Sequence, residues 1–368
     1  MSVNRAPSFI PARSPPRTST GLARRLHDSL AAGPASLLAT VVLLLLGAWA
    51  LTHLAQWAVL DAVFVPDADA CDAARGQGAC WGVIAEKYRV ILFGHYPYAE
   101  QWRAALASVL MLALVVASGV RRLWRRWLPV AWIIGLLAFL VLMGGGVPGL
   151  PAVATTQWGG LPLTLLLTTV SLALAFPLAL LVALGRRSSL PVVRTVCTVY
   201  VELVRGVPLI SVLFMASFMF PLLLPAGRNP DVLLRVTAGI TLFAAAYMAE
   251  VVRGGLQAVP AGQQEAASSL GLGYWRTQRL VVLPQALTTV LPGLMNNFIA
   301  LLKDTSLVTV VSLYELTGAL GLALSGDPTW RPYKVEGYLF ITLIYFALCF
   351  SMSQYARRLE ARLHRHAE

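Results

Sequence analysis

Long uncharged apolar runs alternate with short polar segments along most of this chain. The run from Pro34 to Leu60 carries no charge and is long enough to span a bilayer as a tilted helix. Further apolar runs follow at roughly 104–120, 128–147, 160–185, 206–226, 232–252, 286–303 and 337–356. With the first, they predict an all-α membrane protein of about eight transmembrane helices. The stretch from Leu307 to Ser325 is apolar enough to compete for a ninth place. Glu315 and the Thr317-Gly318 break favour instead an amphipathic helix with a turn, lying against the bundle.

Charge supports eight spans. With the N-terminus inside, twenty of the 29 Lys and Arg residues fall on the cytoplasmic side and eight outside, with Lys303 in or near the membrane. The cytoplasmic set includes five arginines in the N-tail, the Arg121-Arg122-x-x-Arg125-Arg126 cluster and the C-terminal group from Arg357 to Arg365. A ninth span would place that basic C-tail outside. Both termini are therefore expected in the cytoplasm.

Composition agrees. A chain of 368 residues that is 57% hydrophobic and 12% charged has too few charges to cover a soluble surface. The net charge of +12 lies in segments between apolar runs, so it points to loops at a membrane surface and away from nucleic acid. Residues 1–34, rich in Pro, Ser and Arg, read as a disordered tail. They do not read as a signal peptide, because the first apolar run starts late and no small-x-small cleavage site follows. The segment 61–103 is polar, with six acids against four bases, and reads as an external loop. It holds Cys71 and Cys80, whose separation permits a disulfide in an oxidising compartment, with free thiols the alternative. Cys197 and Cys349 lie in or beside spans and read as packing residues, and nothing suggests a metal site.

One polar island interrupts the apolar pattern, EAASSLGLGYWRTQRLVVLP from Glu265 to Pro284. Pro260 and Gly262 allow a turn before a short helix that starts near Gln263 or Gln264. Gly271 stands where a left-handed C-terminal cap belongs. A second helix fits Tyr274 to Leu283, ended by Pro284. Taken as residues alone, the island is either an ordinary loop or a docking element.

The pattern Glu265-Ala266-Ala267, three residues, Gly271, nine residues, Val281-x-Leu283-Pro284 resembles the EAA loop of ABC-importer permeases, with Val where Ile is usual. VELVRGVPL from Val201, AYMAEVVRGGLQAVPAGQQEAA from Ala246 and LLKDTSL from Leu301 resemble the polar amino acid subfamily. The N-terminal extension and GVPLISVLFMASFMFPLLLP from Gly206 resemble the larger M-type permease of general L-amino-acid transport systems. The resemblance implies a five-span core over 158–357 with its EAA loop at 260–284. Three extra spans with the external loop would fill 35–157, and a basic cytoplasmic tail 358–368.

The resemblance also implies a subunit of an L-amino-acid importer in the bacterial inner membrane, coupled to ATPase chains through Glu265, Ala266, Ala267, Gly271 and Pro284. Its partners would be a second permease in a heterodimer, two ATPase subunits and a periplasmic amino-acid-binding protein. The only lysines, Lys87, Lys303 and Lys334, end no phosphate-binding loop, so ATP is expected on partner subunits and no cofactor or catalysis on this chain. A secondary transporter or a membrane scaffold without ATP coupling are the rival classes.

Polar groups near the spans carry the remaining chemistry. Glu202 with Arg205, and Glu250 with Arg253, stand three apart on one helix face each, as helix-end ion pairs or as a cytoplasmic gate. Lys303, Asp304 and Thr305 lie toward the far end of the span after Pro284. A carboxylate there needs a polar cavity, which makes these residues a candidate substrate path. Lys303 could instead snorkel. Asn296 and Asn297 read more readily as interhelical glue.

Overall fold

The computed structural model describes residues 33–120, 123, 127–225 and 227–364. The tail before Gly33, the Arg121-Arg122-x-x-Arg125-Arg126 cluster and residues 365–368 lie outside the described residues. Among those described, the regular structure is helical, and three isolated β-bridges are the only extended pairings.

Two units meet at the Cys80–Trp81 bond. The first contains α1 (Pro34–Leu60), which closes in a π-turn, and the short α2 (Ala68–Ala73). None of the apolar side chains of α1 is buried within the chain, as suits a helix surrounded by lipid or by another subunit. Asp67 caps α2 by accepting from the backbone N–H groups of Asp69 and Ala70. Cys71 and Cys80 are joined by a disulfide, their Cα atoms 5.4 Å apart. The backbone N–H of Ala79 donates to the carbonyl of Trp57, so the bridged loop folds back onto the end of α1.

The second unit runs from Trp81 onward. Its helices are α3 (Gly82–Phe93), α4 (Gln101–Gly119), α5 (Leu128–Gly144), α6 (Gly160–Arg186) and α7 (Pro191–Arg205). Then come α8 (Leu209–Leu222), α9 (Val232–Ala258), α10 (Ala261–Ser269), α11 (Tyr274–Thr277) and α12 (Leu283–Asp304). The last two are α13 (Leu316–Ser325) and α14 (Lys334–His364).

Six helical runs are long and apolar enough to cross a membrane, and the bent pair α7–α8 makes a seventh if counted as one span. The 17-residue α5 is apolar but shorter. Each of the eight runs read from the sequence therefore coincides with a helix. The fourth junction differs, because the chain turns by 106° between α7 and α8. Pro208 starts α8 and cannot continue the ladder of α7, so Gly206 to Pro208 forms a corner.

The core is the α6–α9 seam, with α12 packed on α9 and also touching α6. Ser171, Ala175, Ala179 and Ala183 recur every four residues along α6 and are fully buried. Ala245, Ala246 and Ala249 are equally buried on α9. Small residues let apolar helices approach closely in lipid, where dispersion must hold what the hydrophobic effect cannot. At the crossing of α9 and α12, a Cβ on Gly255 would stand 2.6 Å from the carbonyl of Ala286. Any larger residue would push these two helices apart.

Toward the opposite end, three backbones touch. Gly160, at φ +62°, donates its N–H to the carbonyl of Tyr314 at 2.8 Å. A Cβ on Gly160 would meet the Leu92 carbonyl at 2.0 Å, and one on Gly94 would meet the Cα of Gly159 at 2.8 Å. Nearby, Arg103 is fully buried and donates to the carbonyls of Leu142 and Pro151, pinning the uncharged turn after α5. Outside the spans, Lys87 on α3 donates to Asp327 at 2.8 Å, and that bond holds the Asp327 carboxyl below its ordinary range.

The stretch 307–325 departs from its sequence reading. Thr305–Val311 is a 3-10 continuation of α12, Ser312 turns the chain at φ +64°, and α13 follows. The helix is not amphipathic. Leu316, Gly318, Ala319, Leu320, Ala323 and Leu324 are buried, and α13 packs mainly on α3. Glu315 is wholly buried, so it marks an internal helix start where the sequence had suggested the polar side of an amphipathic helix.

Candidate functional site

The polar island hangs between the close-crossing ends of α9 and α12. Pro260 ends the outgoing chain and α10 begins at Ala261, two or three residues earlier than the sequence reading. The helix stops through a pair of capping bonds. The N–H of Leu272 reaches the carbonyl of Ala267, and the N–H of Gly271 reaches that of Ser268. This is a Schellman closure, and it needs a left-handed residue, which Gly271 supplies at φ +75°. No atom lies within 4 Å of where its Cβ would be, so backbone conformation alone demands glycine.

Ala267 is buried beneath the loop, whereas Glu265 and Ala266 are exposed. Gln285 donates to Gln263, tying α10 to the root of α12. Leu270, Tyr274 and Trp275 are respectively 81%, 55% and 67% exposed. Three large uncovered apolar groups beside a carboxylate form a patch of the kind that marks a contact surface. The second helix does not stop before Pro284. A π-turn over Gln278–Val282 joins α11 to α12, and Pro284 occupies the first turn of α12. The wider turn lets the chain continue where the proline has no N–H to give, so the loop runs without a break into a span.

The four charged residues picked from sequence spacing occupy one cluster, wired differently from the spacing. Glu250 and Arg253 are bonded within α9, as i,i+3 geometry allows. Glu202 is bonded to Arg186 at 2.8 Å, and Arg205 turns toward Glu250 at 3.8 Å. Arg186, at the end of α6, also donates to Glu250 at 2.6 Å. Three helices therefore meet through one arginine that the sequence reading passed over. Its partners lie 16 and 64 positions away, beyond any helical spacing.

Asp304 lines a cavity of about 230 Å³ with Phe243, Ala244, Tyr247, Met248, Asn297, Ala300 and Leu301. The cavity brings a carboxylate, an amide and a phenol together inside the bundle. Lys303 is exposed on another face. Thr305 is buried, with its hydroxyl donating to the Leu302 carbonyl and outside the lining. Of the three residues expected to form a path, only Asp304 faces the cavity. Asn297 joins it, while its Nδ2 donates to the Gly293 carbonyl. No group of three or more His, Cys, Asp or Glu suited to a metal occurs among the described residues.

The model of binding-protein-dependent transport system inner membrane components matches residues 175–365, taking in the loop, the charge cluster and the cavity. This chain belongs to that family. The transport component is 48% identical over 311 residues to the inner membrane amino-acid ABC transporter permease protein YhdY of Escherichia coli K12, covering 84% of each chain. It is 35% identical over 421 residues to BztC of Rhodobacter capsulatus, a glutamate/glutamine/aspartate/asparagine transport system permease protein, covering 97% of each. The glutamate/aspartate import permease protein GltK of Escherichia coli O157:H7 is 31% identical, over 59% of this chain and 95% of its own. Relatives thus come in two lengths, and the longer ones match the N-terminal extension as well. A solved amino acid ABC transporter crystallised with histidines is 33% identical over 54% of this chain and 90% of its own, with a TM-score of 0.48.

Proposed function

We propose that this inner membrane component is the permease subunit of an ATP-driven importer of L-amino acids. The observation that carries the reading is the loop from Ala261 to Thr277. The short helix α10, closed by Gly271, and α11 after it project from the α9–α12 crossing and display Glu265, Leu270, Tyr274 and Trp275. Such a loop transmits a push from a docked subunit to two spans at once, because only Val259 and Pro260 separate α10 from α9 and α11 is continuous with α12. Relatives named as amino-acid permeases supply the substrate class. The ATPase would be two separate chains, because no lysine here ends a phosphate-binding loop. A second permease would complete a heterodimer, and a periplasmic amino-acid-binding protein would deliver the substrate. No cofactor is assigned to this chain.

The cavity at Asp304 is the proposed substrate path. A zwitterionic amino acid presents an ammonium that a carboxylate can accept, and Asn297 and Tyr247 offer neutral hydrogen-bonding groups beside it. Placing the loop in the cytoplasm sets both termini on that side and residues 61–103 outside.

The test is uptake by the complete complex in proteoliposomes, with ATP inside and binding protein outside, using radiolabelled L-glutamate, L-glutamine and L-histidine. Uptake of at least one that requires both ATP and binding protein is expected, with Asp304→Asn reducing it at least tenfold. Uptake driven by an ion gradient without ATP would identify a secondary transporter and overturn the reading.

A further inference from the structure

The charge cluster and the cavity share a residue. Tyr247 lines the cavity on one side, and on the other its ring faces the guanidinium of Arg205, 5.6 Å from the ring centroid. The same Arg205 stands 3.8 Å from Glu250, one turn further along α9. Three guanidinium groups thus converge on one carboxylate, and they do not hold it equally. Arg186 and Arg253 make hydrogen bonds to it, while Arg205 remains just outside that range. Arg186 is 11% exposed at its side chain and Arg205 36%. Arg205 is therefore the most weakly retained member of the cluster. It is also the last residue of α7, immediately before the 106° corner at Gly206–Pro208.

We propose that Arg205 is the moving part of a latch beneath the Asp304 cavity. In the present state it bridges Tyr247 and Glu250. A change of angle at Gly206–Pro208 withdraws it, frees the Tyr247 ring and opens the cavity toward the loop side. Arg186 and Arg253 are the fixed part. They keep Glu250 paired in both states, so withdrawal of Arg205 leaves no bare carboxylate inside the bundle. This division of labour explains why a single glutamate has three cationic neighbours: two satisfy it, and a third can leave without a large penalty. The cation–π contact is weak enough for a docked ATPase to break and strong enough to bias the populations about fivefold.

The latch rests on the importer reading, so its test compares variants within a transporter whose wild type works. Complete complexes are reconstituted in proteoliposomes, and labelled L-glutamate, L-glutamine or L-histidine transported per ATP hydrolysed is measured. Arg205→Ala should lower that ratio about fivefold, the size of one such contact, and raise ATP hydrolysis without substrate, with unchanged yield of assembled complex. Tyr247→Leu should do the same, and Arg205→Ala with Tyr247→Leu should be no worse than either alone. An unchanged ratio in Arg205→Ala, additive losses in the double variant, or loss of assembled complex in either single variant would each overturn the latch. The last outcome would make the contact merely structural. A wild type that transports none of the three with ATP would instead defeat the importer reading.

Discussion

Glu315 shows how much one side chain can join. Its carboxyl accepts from the N–H groups of Thr317 and Gly318 at the start of α13, from the Tyr345 hydroxyl of α14 at 2.7 Å and from the Thr164 hydroxyl of α6 at 3.3 Å. Thr164 in turn accepts the N–H of Leu316. Removing the carboxyl takes this acceptor from the Thr317 and Gly318 N–H groups and the Tyr345 hydroxyl in a dry site. We expect Glu315→Ala to destabilise by about 3 kcal/mol, lowering the thermal transition of the detergent-purified protein by roughly 5 °C or more. Glu315→Gln keeps one oxygen and should lose less. Thermal unfolding followed by intrinsic fluorescence checks the order, and equal effects from both would mean that neither the retained oxygen nor the side-chain volume contributes there. The sequence displayed Glu315 as an interruption of hydropathy. Its burial depends on Thr164 and Tyr345, 151 and 30 positions away, and no local pattern encodes that meeting.

At the scale of elements, the loop was the most legible part of the chain. Glycine at the left-handed position, small residues before it and a proline after it are local requirements, and local requirements are written in adjacent residues. Its behaviour can be separated from bulk, because space around Gly271 is open. We expect Gly271→Asn, which tolerates left-handed φ, to retain ATPase copurification. Gly271→Val should lose most of it at unchanged membrane abundance, since a β-branched residue resists that conformation by about 1–2 kcal/mol. Pull-down of ATPase subunits from solubilised membranes measures this, and equal retention by both variants would remove backbone conformation from the explanation. What the sequence concealed was continuity. Pro284 signalled an end to the second helix, yet the π-turn before it absorbs the missing donor and carries α11 into α12. In the same way Glu202 was matched to its neighbour on α7, while α6 brings Arg186 closer.

For the whole molecule, the charge distribution of the sequence predicts eight crossings, with the Ala261–Thr277 loop on the side of the termini. Phosphatase fusions in the segment 61–97 should be active in the periplasm, and fusions at Ser188 or after Gly271 should be inactive. Activity at Ser188 would mean that α6 runs the other way. The glycine crossing adds a mechanical consequence. Gly94, Gly159 and Gly160 put the backbones of α3's end and α6's start against each other, with Tyr314 bonded alongside, and no flexible side chain lies between them to act as a bearing. Backbone in contact with backbone does not slide without breaking. When α6 tilts, α3 must tilt with it, and Arg103 carries the turn after α5 along with α4. The helices from Gly82 to Gly144 are thus expected to move together with α6 as one piece.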